Sequence, residues 1–148
     1  MKKSMGVVLF GLVLGMACAT RVGIAETHRE DINAQARVLA IAAANLEGAV
    51  RGRTAGANQD AAAQAVAKFH AEAEAFAGAA GSWHSTDAVN DSYERLIDAW
   101  VRVEKSFPDL KADGLLAESY ARVQHEWEKM ARVTGYAGKY YQKNLEDK

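Results

Sequence analysis

The chain has 148 residues, 18 Lys+Arg against 19 Asp+Glu, and a single cysteine. That length suits one domain with one core. The balanced charge lacks the basic footprint of a nucleic-acid binder, so no nucleic-acid partner is expected, and one cysteine cannot form an internal disulfide, which leaves the fold to stand on packing.

The first twenty residues, MKKSMGVVLFGLVLGMACAT, place Lys2 and Lys3 ahead of an apolar run from Met5 to Ala17, followed by small residues. This is the layout of a secretory signal, and the run falls short of the roughly 20 residues that span a bilayer. Residues 1–17 are therefore expected to be a signal peptide, with cleavage after Ala19 or after Ala25 as the alternatives. Removing Lys2 and Lys3 from 18 basic residues leaves 16 against 19 acidic, a formal net charge of −3.

Cys18 directly follows Leu14-Gly15-Met16-Ala17. This resembles the lipobox of bacterial lipoproteins, in which the cysteine becomes the lipid-bearing N-terminus. The strongest such motifs have Leu three residues before the cysteine, where this chain has Gly15. The resemblance implies a lipid on Cys18 and a multi-acyl anchor that holds the protein stably on a membrane. An unmodified lone thiol would be a liability in an oxidising compartment. Residues 18–27 then form a tether.

Four stretches with helical periodicity follow. Ile32, Ala36, Leu39, Ala43, Leu46 and Val50 are spaced by alternating steps of four and three. Ala62, Val66, Phe69, Ala73, Phe76 and Ala80 repeat those steps, as do Val89, Tyr93, Leu96, Trp100, Val103 and Phe107, and then Leu116, Tyr120, Val123, Trp127, Met130 and Thr134. Such spacing keeps side chains on one side of a helix and makes a seam for partner helices. The second stretch is alanine-rich, with eleven alanines in residues 61–80, and should pack closely at its small positions, with Phe69 and Phe76 filling the wider spaces.

The connections agree with this division. Arg51 to Ala57 separates the first two stretches, and Asn58 is a candidate cap for the second helix. Gly78, Gly81 and Ser82 to Ser85 divide the second from the third, with Thr86 as the expected cap and Asp87 in the first turn. Pro108 stops the third helix after Phe107. Asp113 is the candidate cap of the fourth, and Gly135 closes it in a left-handed conformation. No stretch alternates as a half-buried strand does. The expected fold is all-α: an up-down-up-down antiparallel four-helix bundle over residues 28–135, following the N-terminal signal segment. An aromatic and charged tail occupies 136–148. Its Tyr136, Tyr140 and Tyr141 are expected to cover the bundle end or to face a partner.

Residues 91–100, DSYERLIDAW, recur 27 positions later as ESYARVQHEW, residues 118–127. Ser92/Ser119, Tyr93/Tyr120, Arg95/Arg122 and Trp100/Trp127 are identical, and Asp91/Glu118 and Leu96/Val123 match in class. On consecutive antiparallel helices the two copies run in opposite directions, so Tyr93 should meet Trp127 and Tyr120 should meet Trp100. These four rings are the candidate core, or alternatively a shared binding slot. Arg95 and Arg122 leave the seam toward carboxylates or water.

Candidates for chemistry are sparse. His70 and Glu74 stand one turn apart, the spacing of an ordinary hydrogen bond or of two metal ligands, which is too few for a site. His70 with Met130 is the conceivable pair of axial haem ligands, but the Cys-x-x-Cys-His attachment motif is absent, as is the Glu-x-x-His of carboxylate di-iron bundles. His125 falls opposite the fourth seam and His28 ahead of the first full turn. Trp83-His84 reads as a loop anchor. Glu72, Glu74, Asp98 and Glu104 lie among basic residues, as on a solvated face. No nucleophile, phosphate-loop or zinc-protease motif occurs.

The expectation is a non-enzymatic protein of the bacterial cell envelope, an outer-membrane lipoprotein or else soluble in the periplasm. It would bind or scaffold with no cofactor. Its partner would be another envelope protein or a small apolar ligand. The alternative is a small ligand or haem carrier using the bundle interior. An exposed seam would also allow helix exchange between copies.

Overall fold

The structure is a computed structural model, and it describes residues 28–52, 57–109 and 114–135. The proposed signal, Cys18, the tether, Asp113 and the tail all lie outside the described residues. Four α-helices follow one another: α1 (Arg29–Arg51), α2 (Ala57–Ser82), α3 (Thr86–Ser106) and α4 (Gly114–Thr134), with a short 3-10 helix at Phe107–Asp109. There is no strand among the described residues.

Each helix buries the stripe that its sequence spacing marks out. Ile32, Leu39 and Leu46 of α1, Phe69 and Phe76 of α2, Tyr93, Leu96 and Trp100 of α3, and Leu116, Val123, Trp127 and Met130 of α4 form one core. Of the four stripes, only Phe107 and Tyr120, at one end, are partly exposed. At about 25 cal/mol per Å² of apolar area, such a shared interior is the main stabilising term.

Close backbone approaches join α1 with α2, α2 with α3, and α1 with α4; α3 and α4 are not among the closely approaching pairs. Side-chain volume accounts for this. Alanines such as Ala62, Ala73 and Ala80 are buried on α2 and let its neighbours come near, whereas tyrosine and tryptophan rings fill the space between α3 and α4.

Two connections differ from the sequence expectation. Helix α2 continues through Gly78 and Gly81 to Ser82. Gly81 lies where α1 comes close: a β-carbon there would be 3.4 Å from Asn33 Oδ1. The chain turns at Trp83, whose φ of 45° is left-handed. Its ring is only 7% exposed, so burial of the indole offsets the backbone cost. Arg29, at the start of α1, donates to the carbonyls of Gly81 (3.4 Å) and Ser82 (3.3 Å) and lies 5.9 Å from the Trp83 ring centroid. One guanidinium thus satisfies the end of α2 and covers the anchor ring.

The cap of α3 is Ser85 rather than Thr86. Ser85 has extended backbone and its hydroxyl accepts from the Ala88 N–H at 3.1 Å, while Thr86 is already helical. Helix α2 begins at Ala57, which places Asn58 inside it. Helix α3 gives way to the 3-10 helix containing Pro108, and Gly135 takes a left-handed φ of 62° after α4.

Candidate functional site

The repeated decapeptide builds an aromatic stack. Tyr93 stacks on Trp127 (ring centroids 6.1 Å apart), Trp127 on Trp100 (5.7 Å), and Trp100 on Tyr120 (5.6 Å). The series extends to Phe76 beside Tyr93 and to Phe107 against Tyr120. Phe69 of α2 closes its side, 5.1 Å from Trp100 and 6.3 Å from Trp127. Both Tyr–Trp pairs expected of opposed copies are present. Tyr93, Trp100 and Trp127 are buried and Tyr120 is half-buried, so ring touches ring along α3 and α4, and each such pair contributes about 0.5–1.5 kcal/mol beyond its burial.

The other three helix contacts carry buried carboxylates. Between α1 and α2, Glu47 pairs with Arg51 on its own helix and with His70 Nδ1 at 2.5 Å. Between α2 and α3, Glu72 pairs with Lys68 at 2.6 Å and with Arg95 at 3.4 Å. Between α4 and α1, Glu126 accepts from Gln35 at 2.9 Å and pairs with Arg122 (3.1 Å) and Lys129 (3.5 Å). Each carboxylate therefore has a cation on its own helix and a polar partner across the seam, which is the condition for burying a charge.

Glu72, assigned from sequence to a solvated face, is only 7% exposed, and Glu126 is 1% exposed. The hydrogen bond from Lys68 is the largest influence on Glu72. With the nearby Arg95 it outweighs burial and holds the carboxyl below its ordinary value of 4.5. For Glu126, burial pushes upward most strongly, yet the Gln35 hydrogen bond together with Lys129 and Arg122 leaves it below 4.5 as well. Arg95 and Arg122, equivalent in the repeat, both serve buried carboxylates.

The remaining candidates are placed as follows. His70 also meets Glu74, through Nε2 at 3.3 Å, so carboxylates occupy both ring nitrogens and neither is presented to a haem iron. Met130 is fully buried in the core. No group of three or more His, Cys, Asp and Glu with metal-binding geometry occurs among the described residues. His125 and His84 are exposed. A groove of about 160 Å³ between α2 and α3 is lined by Lys68, Glu72, Arg95, Asp98, Ala99 and Arg102, and the ion pairs of Glu72 already occupy much of its charge. No helix of the described residues is long and apolar enough to cross a membrane.

The chain matches no family model, curated protein or solved structure.

One surface was missed in the sequence. Ile41 is 64% exposed and Val38 38% exposed. Ala34, Asn45 and Gly48 continue the four-three spacing on either side of them along the outer face of α1, and all three are exposed. Asn45 is the single polar side chain of that line, and residues 38–46 hold no charged side chain. Val38 and Ile41 thus adjoin as two exposed branched apolar residues, bordered by the exposed Arg37 one turn before Ile41. The signal in the sequence was the uncharged run itself, masked by the stronger stripe through Ile32 and Leu39.

Proposed function

We propose that this chain is a non-enzymatic binding or scaffolding protein of the bacterial cell envelope. It is exported by residues 1–17 and held on the periplasmic side of a membrane by a lipid on Cys18. Its working part is an up-down-up-down antiparallel bundle that docks another envelope protein through the outer face of α1. Contacts along successive helices support that topology, because they run in opposite directions. Arg29 meets Gly81 and Ser82, whereas Glu47, further along α1, meets the earlier His70. Phe76 meets Tyr93 while Phe69 meets Trp100, and Tyr93 meets Trp127 while Trp100 meets Tyr120.

The observation that carries the docking reading is Ile41, 64% exposed within an uncharged run of nine residues, 38–46. Adjoining exposed apolar residues mark interaction surfaces, whereas isolated ones do not. The ring-on-ring packing of the interior and the doubly engaged His70 weigh against the small-ligand or haem carrier. A photo-crosslinking residue at position 41, in cells producing the full chain, is expected to give a discrete conjugate with an envelope protein, while the same residue at exposed position 125 gives none. Equal labelling at both positions refutes docking through α1.

A further inference from the structure

We propose that the aromatic stack of α3 and α4 carries electron holes and that Tyr120 is its outlet. An electron removed from Trp100 or Trp127 is replaced from Tyr120, so the radical ends on the ring of the stack that reaches water. This capacity stands apart from the docking reading above. Continuity, insulation and an asymmetry between two equivalent tyrosines lead to it.

Tyr93, Trp127, Trp100 and Tyr120 follow one another with centroid separations of 6.1, 5.7 and 5.6 Å. Electron exchange between π-systems falls off exponentially with separation, and each of these rings lies against the next. Indole and phenol are also the side-chain rings that give up an electron most readily. Phenylalanine is far harder to oxidise. Phenylalanines flank the series among the described residues: Phe76 beside Tyr93, Phe107 against Tyr120, and Phe69 along Trp100 and Trp127. A hole on the inner rings is thereby kept among them.

The two tyrosines set its direction. Tyr93 and Tyr120 are equivalent in the repeat, yet Tyr93 is fully buried and Tyr120 is partly exposed. Trp100 and Trp127 are buried as well, so an indole radical cation at either position is a charge in an apolar interior, which is costly. An oxidised phenol is a strong acid and becomes a neutral radical by losing its proton. Tyr120 can pass that proton to water. The Tyr93 oxygen instead accepts from the Thr134 hydroxyl at 3.3 Å, a poor base. The hole therefore runs outward.

Electrons and protons balance along this path. An oxygen-centred radical takes one electron from Trp100 or Trp127 and becomes an anion, leaving an indole radical cation. Tyr120 returns one electron to the indole and releases one proton to water, and a neutral tyrosyl radical remains. Both indoles and Met130, fully buried in the same core, are left unoxidised.

The test attaches a ruthenium photo-oxidant to the exposed His125 of the full mature chain, with the exposed His28 and His84 removed as His28→Gln/His84→Gln. His70 has carboxylates at both ring nitrogens. After a flash, transient absorption is expected to show a tryptophan radical that decays as a tyrosyl radical rises at the same rate. Tyr120→Phe should abolish the tyrosyl rise and prolong the tryptophan radical. Trp100→Phe keeps a ring in the stack and should slow the rise, because the relay between Trp127 and Tyr120 is gone. Tyr136→Phe/Tyr140→Phe/Tyr141→Phe should leave both signals unchanged, with circular dichroism showing that each variant is folded. An undiminished tyrosyl rise in Tyr120→Phe overturns the proposal, and an unslowed rise in Trp100→Phe overturns the path through the stack. Loss of the rise in the triple tyrosine variant places the outlet elsewhere and also overturns it.

Discussion

Tyr93 and Trp127 lie on different helices, 34 positions apart in sequence, and their rings stack with centroids 6.1 Å apart and planes 22° from parallel. Trp127 stacks in turn on Trp100, so truncating either tryptophan opens the stack from within. Trp100→Ala and Trp127→Ala are each expected to cost about 3–5 kcal/mol in urea denaturation, a large part of the roughly 5–15 kcal/mol typical of a domain. A Tyr93→Ala/Trp127→Ala double-mutant cycle should show coupling, whereas Tyr93 with Tyr120, at opposite ends of the stack and packed on different rings, should be closer to additive. Wild-type stability in both tryptophan variants would overturn the packing role.

Acid should loosen the bundle through Glu72 and Glu126. Both carboxyls are held below their ordinary 4.5, so the folded state binds fewer protons than the unfolded state. Their contribution is fully present above the ordinary carboxylate value and is lost as pH falls through the lowered folded value. Denaturation midpoints measured at about pH 7 and about pH 3 should differ less for Glu72→Gln/Glu126→Gln than for the wild type. At neutral pH the single change Glu126→Gln should cost about 1.5–3 kcal/mol, the range for hydrogen bonds to a charged group. An unchanged pH span in the double variant would remove these carboxylates from the account.

The cap of α3 gives a sharper discrimination. Ser85→Ala removes the acceptor for Ala88 N–H and should cost about 1 kcal/mol, lowering the thermal midpoint. Thr86→Ala, one residue further and already helical, should cost a small fraction of that. A larger loss for Thr86→Ala would reassign the cap.

The core was legible in the sequence and the buried charges were not, for the same physical reason. Ile32, Phe69, Trp100 and Met130 announce themselves by spacing, because apolar side chains at four-three intervals share one face and that face must leave water. Arg122 and Glu126, one turn apart, look the same in sequence whether their helix faces water or α1; only the approach of Gln35 decides. Glu72 with Lys68 is the same case, settled by Arg95 from the next helix. Ser85 and Thr86 are both good caps, and backbone dihedrals alone choose between them. Ile41 was hard to see because its neighbours along the outer face, Ala34, Asn45 and Gly48, are small or polar and make no strong apolar period.

Anchoring is testable without the bundle. Cys18→Ser should release the mature protein from membranes or leave its signal uncut. Intact-mass measurement of the wild type should find an acylated cysteine at the N-terminus. An ordinary N-terminus at Thr20 or Glu26 instead would show that Cys18 is discarded with the signal.

The Trp100–Trp127 pair, with centroids 5.7 Å apart and planes 28° from parallel, has an optical consequence. Two indoles so close and so fixed mix their electronic transitions, and their ultraviolet circular dichroism becomes a property of the pair rather than of either ring. Trp83 sits in the α2–α3 connection beneath Arg29, where it reports a different region of the bundle. The unlabelled protein therefore carries a built-in gauge of α3–α4 spacing: any event that wedges those helices apart alters the paired signal even if the helix content does not change.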